Sequence, residues 1–267
     1  MRFETPPGRA RGSTWLVGLA ALAGLVLQAA CAMPPPPWRE VPNYPVRFSD
    51  LRTITLVPPL VSVYEMSEGN FEQEVDEWSD AAYEHARNAI RERVEGMGKR
   101  FVPYAGKEGP RPDFRVGVAD VNARRTLSPA GESWLLFESV KEAILRHTYD
   151  LTQVFPARIK DFDYTLGPDA RALLAGTDAD AYVLMIATDA IPTKGRQALV
   201  GVGAAAALYT GSYGGPGATP AELTLALVES DSGDILYFNR VSMPLSDLRD
   251  EASNRKLVDM VLKGMDR

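Results

Sequence analysis

Hydrophobic and polar positions along this chain switch between a period of two and a period of three to four, and the switches mark out its elements. Arg52 to Val57 (RTITLV) alternates polar and β-branched residues and stops at Pro58-Pro59, which predicts a first strand. From Phe71 to Gly96, apolar residues stand at Phe71, Val75, Trp78, Ala82, Ala86, Ile90 and Val94, the spacing of one stripe along an amphipathic helix. Asn70 and Gln73 are expected to cap its start. Glu72, Glu74, Asp76 and Glu77 lead this helix, while Arg87, Arg91, Arg93, Lys99 and Arg100 lie near its end, the sense the helix dipole favours.

Arg100 to Tyr104 (RFVPY) reads as a short strand that Pro103 confines to an edge. Phe114 to Val118 (FRVGV) reads as another strand, Ser133 to His147 as a second helix, and Pro168 to Leu174 as a third with proline in its first turn. Gly176 to Asp180 breaks that helix before Ala181 to Ala187 (AYVLMIA), a continuous apolar run suited to a strand covered on both faces. Glu222 to Glu229 and Asp234 to Phe238 flank Ser230-Asp231-Ser232-Gly233, the composition of a hairpin turn. Glu251 to Lys263 gathers Leu257, Val258, Val261 and Leu262 on one side of a closing helix. The expected fold is therefore α/β or α+β: one mixed sheet packed by amphipathic helices.

The first residues follow a different pattern. Residues 1 to 13 are polar and basic, Thr14 to Leu27 is apolar, and Ala29 and Ala30 follow, which is the order of an export signal. Fourteen apolar residues are fewer than the roughly 20 that a membrane-spanning helix needs, so the segment 1 to 30 is expected to be removed. Leu27-Gln28-Ala29-Ala30-Cys31 resembles the lipobox of bacterial lipoproteins, in which the cysteine receives diacylglycerol and becomes the new N-terminus. Gln28 departs from the aliphatic residue usual there, which leaves open ordinary cleavage at the small-x-small site Ala30-Cys31-Ala32. The lipoprotein resemblance implies lipid attachment at Cys31, and Ala32 in the next position implies sorting to the outer membrane, facing the periplasm. Residues 31 to 43, with Pro34 to Pro37 and Pro42, read as a semi-rigid tether, and 44 to 267 as a single domain.

Composition narrows the chemistry. The formal charge is −6, and Arg2, Arg9 and Arg11 against Glu4 give the first 30 residues +2, leaving −8 on the rest. An acidic body argues against nucleic acid as a partner, which calls for a clustered cationic face. A single cysteine excludes an internal disulfide and any multi-cysteine metal site. His85 and His147 have no partner at metal-ligand spacing, and no H-E-x-x-H or G-x-S-x-G occurs. Asp178 and Asp180 at a helix-to-strand turn read as backbone caps, Asp161 and Asp163 as surface charge, and Tyr149, Tyr164 and Tyr182 carry no discriminating spacing. No catalytic residue, cofactor or metal is expected.

The most unusual stretch is Ala198 to Gly217 (ALVGVGAAAALYTGSYGGPG). It lacks both G-x-x-x-x-G-K-[ST] and G-x-G-x-x-G, which leaves no phosphate loop. Two readings remain. One is an apolar helix from Gln197 to Leu208 followed by a Gly/Tyr loop over the sheet. The other is an element that touches a membrane or a partner through Val200, Val202, Leu208, Tyr209 and Tyr213, small residues allowing close helix approach.

Three pieces carry a family likeness: an early strand with a long helix after it, the junction from Leu173 to Ile186 with its Gly-x-Asp-Ala-Asp, and the hairpin from Leu223 to Phe238 with Asp231-Ser232-Gly233-Asp234 at its turn. Together they resemble the periplasmic domain shared by the curli-secretion-channel lipoprotein family (CsgG-like) and the N-terminal domain of the Tol-system protein TolB. The resemblance implies a non-enzymatic envelope lipoprotein that self-associates or docks onto other envelope proteins. It does not imply a pore, because the 198 to 217 segment lacks the sustained polar alternation of a membrane hairpin. A ligand-binding module, with the apolar segment after Lys194 as one pocket wall, and a periplasmic hydrolase are the competing classes.

Overall fold

The computed structural model describes residues 36–69, 71–106, 129–200, 219–244 and 246–266. Contacts divide the chain between Pro36 and Pro37, and the unit from Pro37 to Arg267 is a mixed α/β fold around one sheet. Its elements are β1 (Arg39–Glu40), α1 (Tyr44–Asp50), β2 (Thr53–Leu56), β3 (Leu60–Met66), β4 (Glu72–Glu74), α2 (Asp76–Gly96), β5 (Arg100–Val102), α3 (Pro129–Thr148), α4 (Pro156–Lys160), a 3-10 turn (Pro168–Leu174), β6 (Ala181–Pro192), β7 (Ala221–Glu229), β8 (Ile235–Met243) and α5 (Glu251–Val261). The candidate strand at Phe114 to Val118 lies outside the described residues.

The sheet runs β1-β8-β7-β6-β2-β5, with β3 also on β6 and β4 on β3. β6 is its spine: it pairs in parallel with β2 and β3 on one side and antiparallel with β7 on the other. Leu56 lies opposite Val183 and Leu60 opposite Ile186, so four steps on one strand match three on the other. The extra residue falls at Val57-Pro58-Pro59, where prolines without an amide proton cannot complete a ladder. β6 is covered on both faces over Ala181 to Met185, as its unbroken apolar run predicts.

α2 and α5 pack on one face of the sheet and on each other. Asn254 of α5 donates to the Ala82 carbonyl of α2 at 3.0 Å and to Leu248 at 3.0 Å, and the Asp250 carboxylate caps α5 by accepting from the Ser253 amide at 2.8 Å. The far end of α5 closes on β8, where the Tyr237 hydroxyl donates to the carbonyls of Val261 and Lys263 and the Asn239 amide to Val261. These bonds satisfy carbonyls that a helix end leaves open.

Two boundaries differ from expectation. α2 starts at Asp76 rather than Phe71, with Val75 in the cap position and no side-chain cap. Glu72 to Glu74 is instead a strand antiparallel to Tyr64 to Met66, and Phe71 is exposed. Leu60 to Met66 supplies a ladder that satisfies this backbone, so the helix begins only where Asp76 and Glu77 can face its dipole. The second difference concerns the tether. Residues 38 to 43 belong to the folded body, not to a leader: Trp38 and Val41 are buried, Arg39 and Glu40 pair with Phe238 and Tyr237, and the Val41 amide donates to Leu236. Burial of a tryptophan and a valine outweighs the local preference of the neighbouring prolines for an extended tether.

Among the described residues, no helix is long and apolar enough to cross a membrane.

Candidate functional site

The face of the sheet opposite α2 and α5 changes character row by row. Across β6, β7 and β8, the row Leu184, Ala226 and Phe238 is apolar and fully buried. One step on, Ile186, Thr224 and Arg240 stand abreast, and one further step brings Thr188, Glu222 and Ser242, the first and last of them exposed. On the reverse face the same strands stay largely apolar, with Ala187, Leu223 and Val241 in one row. Side chains alternate between faces along a strand, so the polar end belongs to one face alone.

α3 lies on this side of the sheet, its second half flanking the polar rows. Tyr149, just past its last turn, packs edge-on to Phe238, with ring centroids 6.0 Å apart. The Arg39 guanidinium lies over the Tyr149 ring at 4.3 Å and donates to the Thr148 carbonyl at 2.5 Å. Burial raises the Tyr149 phenol above its ordinary pKa, with the Arg39 charge working the other way. Between one side of α3 and the polar rows lies an open groove of about 570 Å³. Its floor is Ile186, Thr188, Glu222, Thr224 and Arg240, and its wall carries Lys141, Leu145 and Tyr149 four residues apart along one side of α3.

Charge in the groove is balanced. Arg240 and Glu222 pair at 2.6 Å, and Lys141 lies 3.3 Å from Glu142. The Asp150 carboxylate accepts from the Thr152 amide and hydroxyl and from Gln153, bonds that hold it below the usual carboxylate range. Arg146 is exposed at the rim, where its charge acts on Asp150 without a salt bridge among the described residues. The Thr152 hydroxyl and amide share one Asp150 oxygen at 2.7 and 2.8 Å, the pattern of a local aspartate turn. Among the described residues, no three His, Cys, Asp or Glu side chains are placed to hold a metal ion.

The residues singled out in the sequence fall elsewhere. Cys31, Val202, Leu208, Tyr209 and Tyr213 lie outside the described residues. Val200 is half-buried in a helical stretch after β6 whose described part is 194–200. His147 closes α3 with Nδ1 3.0 Å from the Tyr164 hydroxyl and its ring against Phe155, while His85 sits on α2 across the sheet. Asp180 is a backbone cap: one carboxylate oxygen accepts from the amides of Arg52 and Thr53 at 2.7 and 2.8 Å. Burial pushes its pKa up, but those bonds outweigh it and hold the carboxyl below its ordinary value. Asp163 pairs with Arg158 at the surface.

The hairpin turn is equally structural. Arg47 of α1 reaches Glu229 at 2.6 Å and Asp234 at 2.9 Å, clamping the helix to the turn. Gly233 has φ +73°, and a Cβ there would collide with the Gly167 carbonyl oxygen. The junction and the hairpin that carry the family likeness are thus joints of the fold. The groove went unremarked in the sequence. Its one signal is that β7 and β8 lose their apolar alternation together, at Glu222 and Thr224 on one strand and Arg240 and Ser242 on the other.

Compared with family models, with curated proteins and with solved structures, the chain matches none.

Proposed function

We propose that this chain is a non-enzymatic bacterial envelope lipoprotein, held by lipid on Cys31 at the periplasmic face of the outer membrane, whose α/β body docks onto other envelope proteins or further copies of itself. The observation that carries the docking part is the groove: an open, wet, charge-balanced hollow whose carboxylates already have partners suits recognition of a polar surface better than proton transfer. The address rests on the export signal and the lipobox-like run ending at Cys31. Two or three acyl chains, each buried methylene adding about 0.8 kcal/mol, hold a protein to a bilayer effectively permanently. The CsgG-like and TolB-like kinship belongs to the same proposal, supported by the order of strand, long helix, junction and hairpin along the chain.

The test has two arms, both in intact cells. Radiolabelled palmitate is expected to label the wild type and not Cys31→Ala; equal absence of label from both removes the anchor. Crosslinking followed by affinity purification is expected to return a defined set of envelope proteins, or crosslinked multimers of the chain itself. A wild type recovered only as an uncrosslinked monomer overturns the docking role.

A further inference from the structure

We propose that the groove between α3 and the polar end of β6, β7 and β8 is a peptide-binding site that takes a short extended segment carrying both an acidic and a basic group. The inference rests on the docking reading above and names where, and for what chemistry, docking occurs. Three properties of the groove select the ligand.

The first is charge. Lys141, Arg146 and Arg240 face Glu142, Asp150 and Glu222, three cations against three carboxylates. A phosphate-rich or otherwise polyanionic ligand would meet the carboxylates, and a polycation would meet the basic groups. A chain bearing one charge of each sign complements both sets, and Arg146, exposed and held only by its longer-range attraction to Asp150, offers the first contact for a carboxylate.

The second is the lack of an aromatic platform. Tyr149 is the one ring in the lining, and Arg39 already covers it while Phe238 meets it edge-on. A sugar or a nucleobase, which binds largely by stacking on an exposed ring face, finds none free there.

The third is shape and hydrogen bonding. From Lys141 to Tyr149 the wall runs about 12 Å at 1.5 Å per helical residue, a length that about four extended residues cover at 3.3 Å each. Thr188 and Thr224 put hydroxyls on the floor, where they can serve a ligand's backbone as donors or acceptors. A volume of about 570 Å³ is within the range of clefts that hold small ligands.

The experiment passes a tetrapeptide library built from Ala, Thr, Glu and Lys over the immobilised mature protein and sequences the retained fraction. Peptides holding both Glu and Lys should be enriched at least tenfold over those holding neither. The enrichment should fall below twofold for the double variant Glu222→Gln/Arg240→Gln and weaken severalfold for Arg146→Gln. The Glu222–Arg240 pair is more than a third exposed and Arg146 lies at the rim, so both variants should fold, which circular dichroism checks. Absence of enrichment, equal enrichment of purely acidic peptides, or enrichment indifferent to folded variants overturns the inference. If Glu222→Gln/Arg240→Gln still crosslinks to every partner of the wild type, docking lies elsewhere and the peptide site falls while the docking role stands.

Discussion

Asp189 is a carboxyl placed where carboxylates are costly. It sits on β6 toward α5, only 2% exposed, with one oxygen accepting from the Leu248 amide at 2.9 Å and the other buried without a hydrogen bond. Burial pushes its pKa up to about 6 from 3.8, an offset that corresponds to about 3 kcal/mol. The sign follows from proton binding: between those two values the folded chain holds the proton and the unfolded chain does not. The contribution of Asp189 to stability therefore rises as pH falls from about 7 toward 4, and is lost as pH climbs through 6. Asp189→Asn keeps an acceptor for Leu248 and removes the titration. Urea unfolding should find the variant more stable than the wild type at pH 7.5, by up to about 3 kcal/mol, and the gap closing by pH 4.5. A gap independent of pH would refute the assignment. Asp180 behaves oppositely, since its folded pKa is depressed: Asp180→Ala should cost about 1–2 kcal/mol at neutral pH and progressively less as acid protonates the wild-type carboxyl. The capping role of Asp180 was legible, because an aspartate at a helix-to-strand turn is a local signal. The isolation of Asp189 was not, because it depends on Leu248 arriving from 59 residues away.

At the scale of elements, positive backbone angles separate glycines that fill space from glycines that keep it clear. Gly98, after α2, has φ +76° and nothing within 4 Å of where a Cβ would stand, so Gly98→Ala should cost only the left-handed penalty of about 1 kcal/mol. Gly233 combines the same kind of angle with a collision against the Gly167 carbonyl, so Gly233→Ala should lose at least twice as much and loosen the bond from the Leu166 amide to the Gly233 carbonyl. Thermal unfolding of the two variants side by side checks this, and equal losses would contradict it. The hairpin was readable because Ser-Asp-Ser-Gly between two apolar runs is chemistry written within four residues. α2 was readable through its stripe, but its start was not. Phe71 and Val75 fit the helical spacing as well as the true core residues do, and only the partner strand Leu60 to Met66 shows that Glu72 to Glu74 is extended. That partner has the alternation of a strand yet follows Pro58-Pro59, a pair that by itself signals the end of one.

The whole molecule shows the same division. An alternating chain of apolar runs and stripes was enough for a mixed sheet layered with helices, because burial of those runs dominates folding. The groove was not legible, since it forms between one side of α3 and the polar rows, and row position is a property of register across three strands. The folded boundary departs from the sequence expectation for a related reason: prolines near Trp38 dictate local extension, whereas Trp38 itself packs on Gly264 at the far end of the chain. A chain begun at Tyr44 should accordingly melt well below one begun at Pro36, with a deficit of about 3 kcal/mol or more from the loss of Trp38 and Val41 burial. Calorimetry on the two lengths decides it; identical melting curves would return residues 38 to 43 to the tether.

β1 is two residues long, and it is where the body meets the segment that leads into it. Tension delivered through that segment would load Arg39 and Glu40, the Val41 amide and the Trp38 ring before it reached the long ladders of β6, β7 and β8. A pull applied at Pro37 is expected to release β1 first, a small step of extension that leaves β6, β7 and β8 paired, which single-molecule force measurement checks. Mechanically, β1 would serve as a fuse where the folded body begins.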